Sequence, residues 1–253
     1  MPEEAGLLEL SKSVALRAGR CLLDSALDLR SYAHSNAHPR EIKALADTVL
    51  EREILDGLGA TGLPILSEEA GWVGEARDAR LTFIVDPLDG TFNFVKGLGP
   101  CAVSIALWER ESPVFGVIYS LRDRQLYWGG ARHGAFRDGE RIAVSTTGSL
   151  ASASLCTGFP ARLDLNSERV RDKFWRTVGA FSKVRMMGSA AMSLVNVATG
   201  AADAYCEQQI MLWDVAAGLA IVEGAGGATR FVSATKEDAM DVSATNGNLS
   251  WVN

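Results

Sequence analysis

"IVDPLDGTFNF" spans Ile84–Phe94 and decides how the rest of the chain is read. An apolar, strand-like run stops at Asp86, Pro87, Asp89, Gly90 and Thr91. Pro87 fixes one φ angle and removes a backbone donor, while Gly90 admits conformations that other residues avoid. The stretch therefore reads as a turn at the mouth of a buried strand. Such a turn can aim Asp86 and Asp89 at a common point and leave the Leu88 carbonyl pointing the same way. Two carboxylates and a carbonyl are hard oxygen ligands of the kind Mg²⁺ selects. A helix starting at Thr91 would add free backbone N–H groups, a phosphate site beside that metal. Other acidic motifs fit poorly. The alternate positions that a calcium loop fills with acids hold Asp86, Leu88 and Gly90, and Phe92 stands after Thr91 where a P-loop needs a lysine. An aspartyl-phosphate phosphatase would space its aspartates two apart rather than three. An acidic β-turn without a ligand is the alternative reading of these residues taken alone.

Two further segments carry acids at element boundaries. In "ILSEEAG", Glu68 and Glu69 end an apolar strand, a poor place for two acids unless one is ligated or paired. In "LWDVAAGLAIVEGAGG", Asp214 stands between Trp213 and an almost wholly apolar helix, where a helix N-cap is the plain alternative. Taken together, Glu68, Asp86, Asp89 and Asp214 read as one shared cation site.

The surrounding chain reads as α+β. Leu7, Leu10, Val14, Ala18, Cys21 and Leu22 mark one amphipathic helix over the first thirty residues. "SYAHSNAHPR" reads as a polar break, and Ile42, Leu45, Val49, Ile54 and Leu58 as a second helix ended by glycines. "WVGEARDAR" reads as a loop, and "AVSIALWE", "PVFGVIYS" and "QLYWGGA" as an antiparallel meander. Beyond residue 150 helices and strands mix, which suits two packed α+β halves better than a regular βαβ winding.

Composition narrows the function classes. A chain of 253 residues with 47% hydrophobic and 22% charged side chains is an ordinary globule of one large domain or two subdomains. A net charge of −6 with no basic cluster argues against a nucleic-acid partner. Cys21, Cys101, Cys156 and Cys206 are scattered, which suits reduced, buried thiols. The acidic N-terminus is unlike a signal peptide, and no apolar run reaches membrane-spanning length, so the expected location is the cytoplasm with no membrane partner. His34, His38 and His133 read as solvated loop residues, leaving histidine-based catalysis little to work with.

With "GVIYS", "GARHGAF" and "GSAAMSLVNVATGAADAYCE", the three acidic segments resemble the inositol monophosphatase family over nearly the whole chain. The resemblance implies a Mg²⁺-dependent, lithium-sensitive phosphatase acting on a small phosphorylated metabolite. Its implied fold is a layered αβαβα sandwich with an antiparallel N-terminal sheet and a smaller mixed C-terminal sheet. Residues 1–145 would form an N-terminal subdomain carrying Glu68 and the DPLDGT motif, and 146–253 a C-terminal one carrying Asp214. Glu68, Asp86 and the Leu88 carbonyl would hold one ion, and Asp86, Asp89 and Asp214 a second. A third, loosely held ion would touch Glu68. The Gly90 and Thr91 amides would cradle phosphate, and Thr91 paired with Asp47 would orient and deprotonate the attacking water. Asp89, Gly188, Ser189, Ala190 and Glu207 would line the substrate. Around Asp47 the chain departs from the family pattern, with Glu41, Lys43 and Ala44 in place of Asp, Val and Thr. The implied substrate is an inositol or sugar monophosphate. The alternatives are a 3′(2′),5′-bisphosphate, histidinol phosphate, or a regulatory role on a phosphatase scaffold. A homodimer is expected by resemblance alone.

Overall fold

The computed structural model describes residues 2–24, 32–34, 42–75, 79–160, 163–234 and 238–251. The chain begins α1 (Pro2–Leu23), β1 (Tyr32–His34), β2 (Ile42–Ala44), α2 (Leu45–Gly59), β3 (Ile65–Ser67) and β4 (Gly71–Val73). Next come β5 (Leu81–Asp89), α3 (Thr91–Lys96), β6 (Ala102–Glu109), β7 (Ser112–Ser120), β8 (Gln125–Gly130), β9 (Gly134–Arg137) and β10 (Glu140–Arg141). The last part is β11 (Ser154–Thr157), α4 (Glu168–Ala180), β12 (Lys183–Arg185) and α5 (Ala190–Ala198). It closes with β13 (Ala204–Met211), α6 (Leu212–Gly224), β14 (Ala228–Ser233) and β15 (Ala239–Thr245).

Eight strands form one sheet in the order β10-β9-β8-β7-β6-β5-β3-β4, and five form a second in the order β12-β11-β13-β15-β14. The larger sheet is antiparallel except where β3 runs parallel to β5. The smaller one is mixed, with β11 parallel to both β12 and β13. Successive residues of the large sheet feed opposite cores. Phe83, Val85, Val103, Ile105 and Leu107 pack with α1 and α2, whereas Ile84, Ala102, Ala106 and Trp108 pack with α5 and α6. The outer face of the smaller sheet packs Leu155, Ala204 and Cys206 against Val178 and Ala180 of α4. The layers are thus helices, sheet, helices, sheet, helix, as expected for an αβαβα sandwich. The apolar–polar alternation read in β6 is instead unbroken burial from Ala102 to Trp108, because helices cover both faces.

The central helix α6 is buried around nearly its whole circumference, from Trp213 to Val222. It presses on β7 so closely that a Cβ at Gly116 would stand 2.1 Å from the Ala217 carbonyl oxygen. Gly116→Ala must push helix and sheet apart, and is expected to lower stability by about 1–3 kcal/mol in a urea titration.

Several local expectations are corrected. The first helix ends at Leu23, short of thirty residues. The supposed polar break contains β1, which pairs with β2, so Ile42 belongs to a strand and the second helix begins at Leu45. The supposed loop after Glu69 contains β4, the edge strand beside β3. Cys21 is exposed, unlike the three buried cysteines. His133 is half-buried, packing edge-on against Phe115 with its Nε2 shielded from solvent, whereas His38 lies outside the described residues. Among the described residues, no helix is long and apolar enough to cross a membrane.

Candidate metal centre

In a regular strand Asp86 and Asp89, three residues apart, would face opposite sides of the sheet. A β-bulge prevents this. Asp86 pairs with Ser104 and Asp89 with Ala102, so three steps on β5 match two on β6. Pro87 sits inside the bulge, where a missing N–H costs no ladder bond. Asp86 Oδ1 accepts from the Leu88 amide at 2.9 Å and locks the turn. Gly90 then takes φ +84°, and a Cβ there would stand 2.9 Å from the Pro100 carbonyl oxygen. Helix α3 begins at the next residue, Thr91.

The other acids arrive from separate elements. Glu68 follows β3, and its amide donates to the Val85 carbonyl at 3.1 Å, which sets it alongside Asp86. Asp214 lies in the first turn of α6 rather than at its N-cap, which is Met211; one oxygen accepts from the Met211 amide at 3.3 Å. A second bulge, between Glu207 and Ile210 of β13, lies just before this turn. Carboxylate oxygens of Glu68, Asp86 and Asp214 all lie within 4.8 Å of one another. They open into a cavity of about 330 Å³ lined also by Leu88, Asp89, Gly90, Thr91 and Glu207. Larger hollows lie beside Trp108 (about 790 Å³) and Trp175 (about 670 Å³), but neither holds this cluster.

Asp89 differs from the other three acids. Its carboxylate accepts from the Ser189 hydroxyl and from the amides of Ala190 (3.1 Å) and Ala191 (3.0 Å) at the start of α5. Asp89 thereby satisfies orphan donors of that helix and pins it to β5. Ser189 and Ala190, expected to line the substrate, do reach the cavity, but these groups are engaged with Asp89. Gly188 also lines it, held by Asn93, whose side-chain amide donates to the carbonyls of Pro100, Met187 and Gly188. The sequence reading missed Asn93; its place directly behind the DPLDGT turn was the available signal.

Asp47 is buried in the first turn of α2. Its Oδ2 accepts from the Ala44 amide at 2.6 Å and its Oδ1 from the Thr91 hydroxyl at 3.0 Å. That hydroxyl also lies 3.1 Å from the Leu88 carbonyl, so its single proton has two acceptors. Lys43 reaches the Glu69 carboxylate at 2.6 Å, next to Glu68. The substitution in the Asp47 segment thus places a cation against one of the two strand-end acids.

Burial and mutual repulsion raise the proton affinity of these groups. Burial first, then the charges of Asp214, Glu69 and Asp47, raises Glu68 well above the ordinary carboxylate range. Asp86 and Asp214 are raised likewise by burial and by neighbouring acids. Burial lifts Asp47 and Asp89 to about 6, and Glu207 to about 8. No described residue lining the cavity is a lysine or arginine. This donor set fits a hard divalent cation: oxygen ligands only, converging, and charged once deprotonated.

A raised folded-state pKa means that the folded protein binds protons more tightly than the unfolded chain, so stability falls as pH rises through the interval. Asp47 and Asp89 act from about 3.8 to about 6, and Glu207 from about 4.5 to about 8. The metal-free protein is therefore expected to melt at lower temperature at pH 8 than at pH 5. Added Mg²⁺ should raise the melting temperature more at pH 8, which differential scanning fluorimetry reads directly.

Fold and acid cluster define a class first: a five-layer α+β protein whose carboxylates meet in a cavity walled by both sheets and their helices. The chain belongs to the inositol monophosphatase family, whose sequence profile matches residues 4–252, and so to the phosphoric monoester hydrolases. It is 32% identical over 227 residues to a fructose-1,6-bisphosphatase/inositol-1-monophosphatase of Aquifex aeolicus, covering 87% of this chain and 83% of that one. An inositol-1-monophosphatase of Mesorhizobium japonicum is 34% identical over 225 residues, covering 88% and 84%. The crystal structure of the extragenic suppressor protein SuhB of Bartonella henselae superposes with a TM-score of 0.82 at 31% identity, covering 96% and 95% of the two chains.

Proposed function

We propose that the protein is a Mg²⁺-dependent phosphatase of inositol or sugar monophosphates. The observation that carries this reading is the meeting of Glu68, Asp86 and Asp214 oxygens within 4.8 Å, in a cavity that also holds the Gly90–Thr91 turn. Glu68, Asp86 and the Leu88 carbonyl would hold one ion, and Asp86, Asp89 and Asp214 a second. Bound there, divalent ions supply Lewis-acid polarisation of the phosphoryl group and lower the pKa of the attacking water.

The chain's own groups do the rest. The Gly90 and Thr91 amides face the phosphate. Thr91 Oγ1 donates to Asp47, so its lone pairs are free to accept a hydrogen bond from the attacking water. Asp47, with its affinity for a proton raised by burial, draws the water's proton through that hydroxyl. Water oxygen bonds to phosphorus from the side opposite the ester oxygen, the phosphorus–ester bond breaks, and the departing alkoxide takes up a proton. Glu207, beside Asp89 in the cavity, faces the hydroxyls of the alcohol half. Residues 1–145 would supply all the metal ligands but Asp214, which with Glu207 would come from 146–253.

The test is phosphate release from inositol 1-phosphate, sugar phosphates, histidinol phosphate and 3′-phosphoadenosine 5′-phosphate. Each is assayed with Mg²⁺, with EDTA and with added Li⁺. Release from the first two that requires Mg²⁺ and falls with Li⁺ is expected. Release confined to the bisphosphate would reassign the substrate, and none from any ester would remove the phosphatase reading. We also propose a cytoplasmic location and a homodimer, the latter supported by the exposed apolar side chains Leu165, Trp175 and Met186. Sedimentation giving only monomer would refute the dimer.

A further inference from the structure

The carboxylate cavity has an aromatic mouth that the proposed phosphatase reaction does not use. Phe92 and Phe159 both line it and are 48% and 42% exposed, Phe159 standing between this cavity and the hollow beside Trp175. The two rings come from separate elements. Phe92 directly follows Thr91 in the first turn of α3. Phe159 follows β11, and its ring is braced by Phe174 of α4, with centroids 4.5 Å apart and an interplanar angle of 38°. Phe174 is in turn edge-on to Trp175, with centroids at 5.9 Å. Bracing fixes the plane of Phe159 before any ligand arrives, which lowers the ordering cost of binding.

A polar group stands beside this aromatic wall. A Cβ at Gly158 would lie 2.7 Å from Glu207 Oε1, so the missing side chain lets that carboxyl lie against the strand end, one residue from Phe159. The mouth therefore presents a hydroxyl-binding acid and a flat apolar face side by side, next to the Gly90–Thr91 turn. Resting on the phosphatase reading, we infer that Phe92 and Phe159 are specificity-determining residues. Among the esters the site cleaves, they favour those whose alcohol carries a hydroxyl near the ester and, a few bonds further out, a planar aromatic or heteroaromatic ring. Ring-on-ring stacking supplies the discrimination, and Glu207 holds the hydroxyl.

A matched pair of substrates tests this: glycerol 1-phosphate and its 3-O-phenyl ether, with the 3-O-cyclohexyl ether as an apolar but non-planar control. With Mg²⁺ present, kcat/KM for the phenyl ether is expected to exceed that for glycerol 1-phosphate by about tenfold, mainly through KM, with the cyclohexyl ether well below it. Phe159→Ala and Phe92→Ala should each lower the phenyl-to-glycerol ratio about fivefold or more. Phe159→Leu keeps apolar bulk without a flat face, and should lower the ratio while retaining the parent melting temperature. Mg²⁺-dependent cleavage of glycerol 1-phosphate with a ratio near one, or a ratio unmoved in Phe159→Ala and Phe159→Leu, overturns the aromatic selection and leaves the phosphatase standing. No Mg²⁺-dependent release from any of the three esters overturns both.

Discussion

Replacing Asp214 by asparagine is expected to lower turnover by about 10³-fold or more, while the metal-free protein melts at or above the temperature of the parent. The two halves of this expectation have one cause. Asp214 is half-buried among other acids, and its carboxyl is held well above its ordinary pKa by burial and by Asp89 and Glu207. Asparagine keeps an oxygen for the Met211 amide and removes a carboxyl whose ionisation the neighbouring acids oppose in the absence of metal. The same change removes a ligand that a divalent ion needs. Steady-state phosphate release and thermal melts check both halves, and an active Asp214→Asn protein would remove this side chain from the reaction. Asp89→Asn is not equivalent. Both Asp89 oxygens accept from Ser189, Ala190 and Ala191, so an amide NH₂ would face a donor and cost about 1–3 kcal/mol. Loss of activity in that variant would mix folding with chemistry.

The second large effect is expected at Thr91. Thr91→Val preserves side-chain volume but removes the hydroxyl that bridges Asp47 and the Leu88 carbonyl. Turnover should fall about 10²-fold or more while the midpoint for Mg²⁺ activation stays within about threefold, because the carboxylate cluster is untouched. Thr91→Ser should recover most of the rate. If the two groups act as one unit, combining Thr91→Val with Asp47→Asn should cost little more than either change alone. Equal activity in the valine and serine variants would show that the hydroxyl has no part in moving the proton.

These effects depend on geometry that was only partly legible in the sequence. The helix after Gly90 follows from the glycine and the end of an apolar run and stands in the structure, whereas the turn read at Asp86 is instead a bulge inside β5, which pairs on to Asp89. The runs of "AVSIALWE" and "PVFGVIYS" announced β6 and β7, but reading them as alternating hid that both faces are covered, which the nearly continuous apolar run from Ala102 to Trp108 does reflect. Strands β1, β2, β4 and β12 were missed because each has three residues, too few for a period to emerge; β3 is as short but showed through the apolar run "LPIL" leading into it. The bulges that turn Asp86 with Asp89, and Glu207 with Ile210, come from pairing with strands that lie elsewhere in the chain. The contact of Asp89 with Ser189 spans 100 residues and left no local trace, so Asp89 read simply as a ligand. That Phe92 and Phe159 share one cavity left no local signal for a similar reason, since only folding brings them together.

The most direct measurement is a calorimetric titration of EDTA-stripped protein with Mg²⁺ at pH 7.5, run in two buffers of different ionisation enthalpy. Saturable uptake of two ions per chain is expected, with protons released as the crowded acids ionise, and with uptake weakened in Asp214→Asn. Absence of saturable heat at millimolar Mg²⁺, or identical titrations for parent and Asp214→Asn, would contradict a metal centre at this cluster.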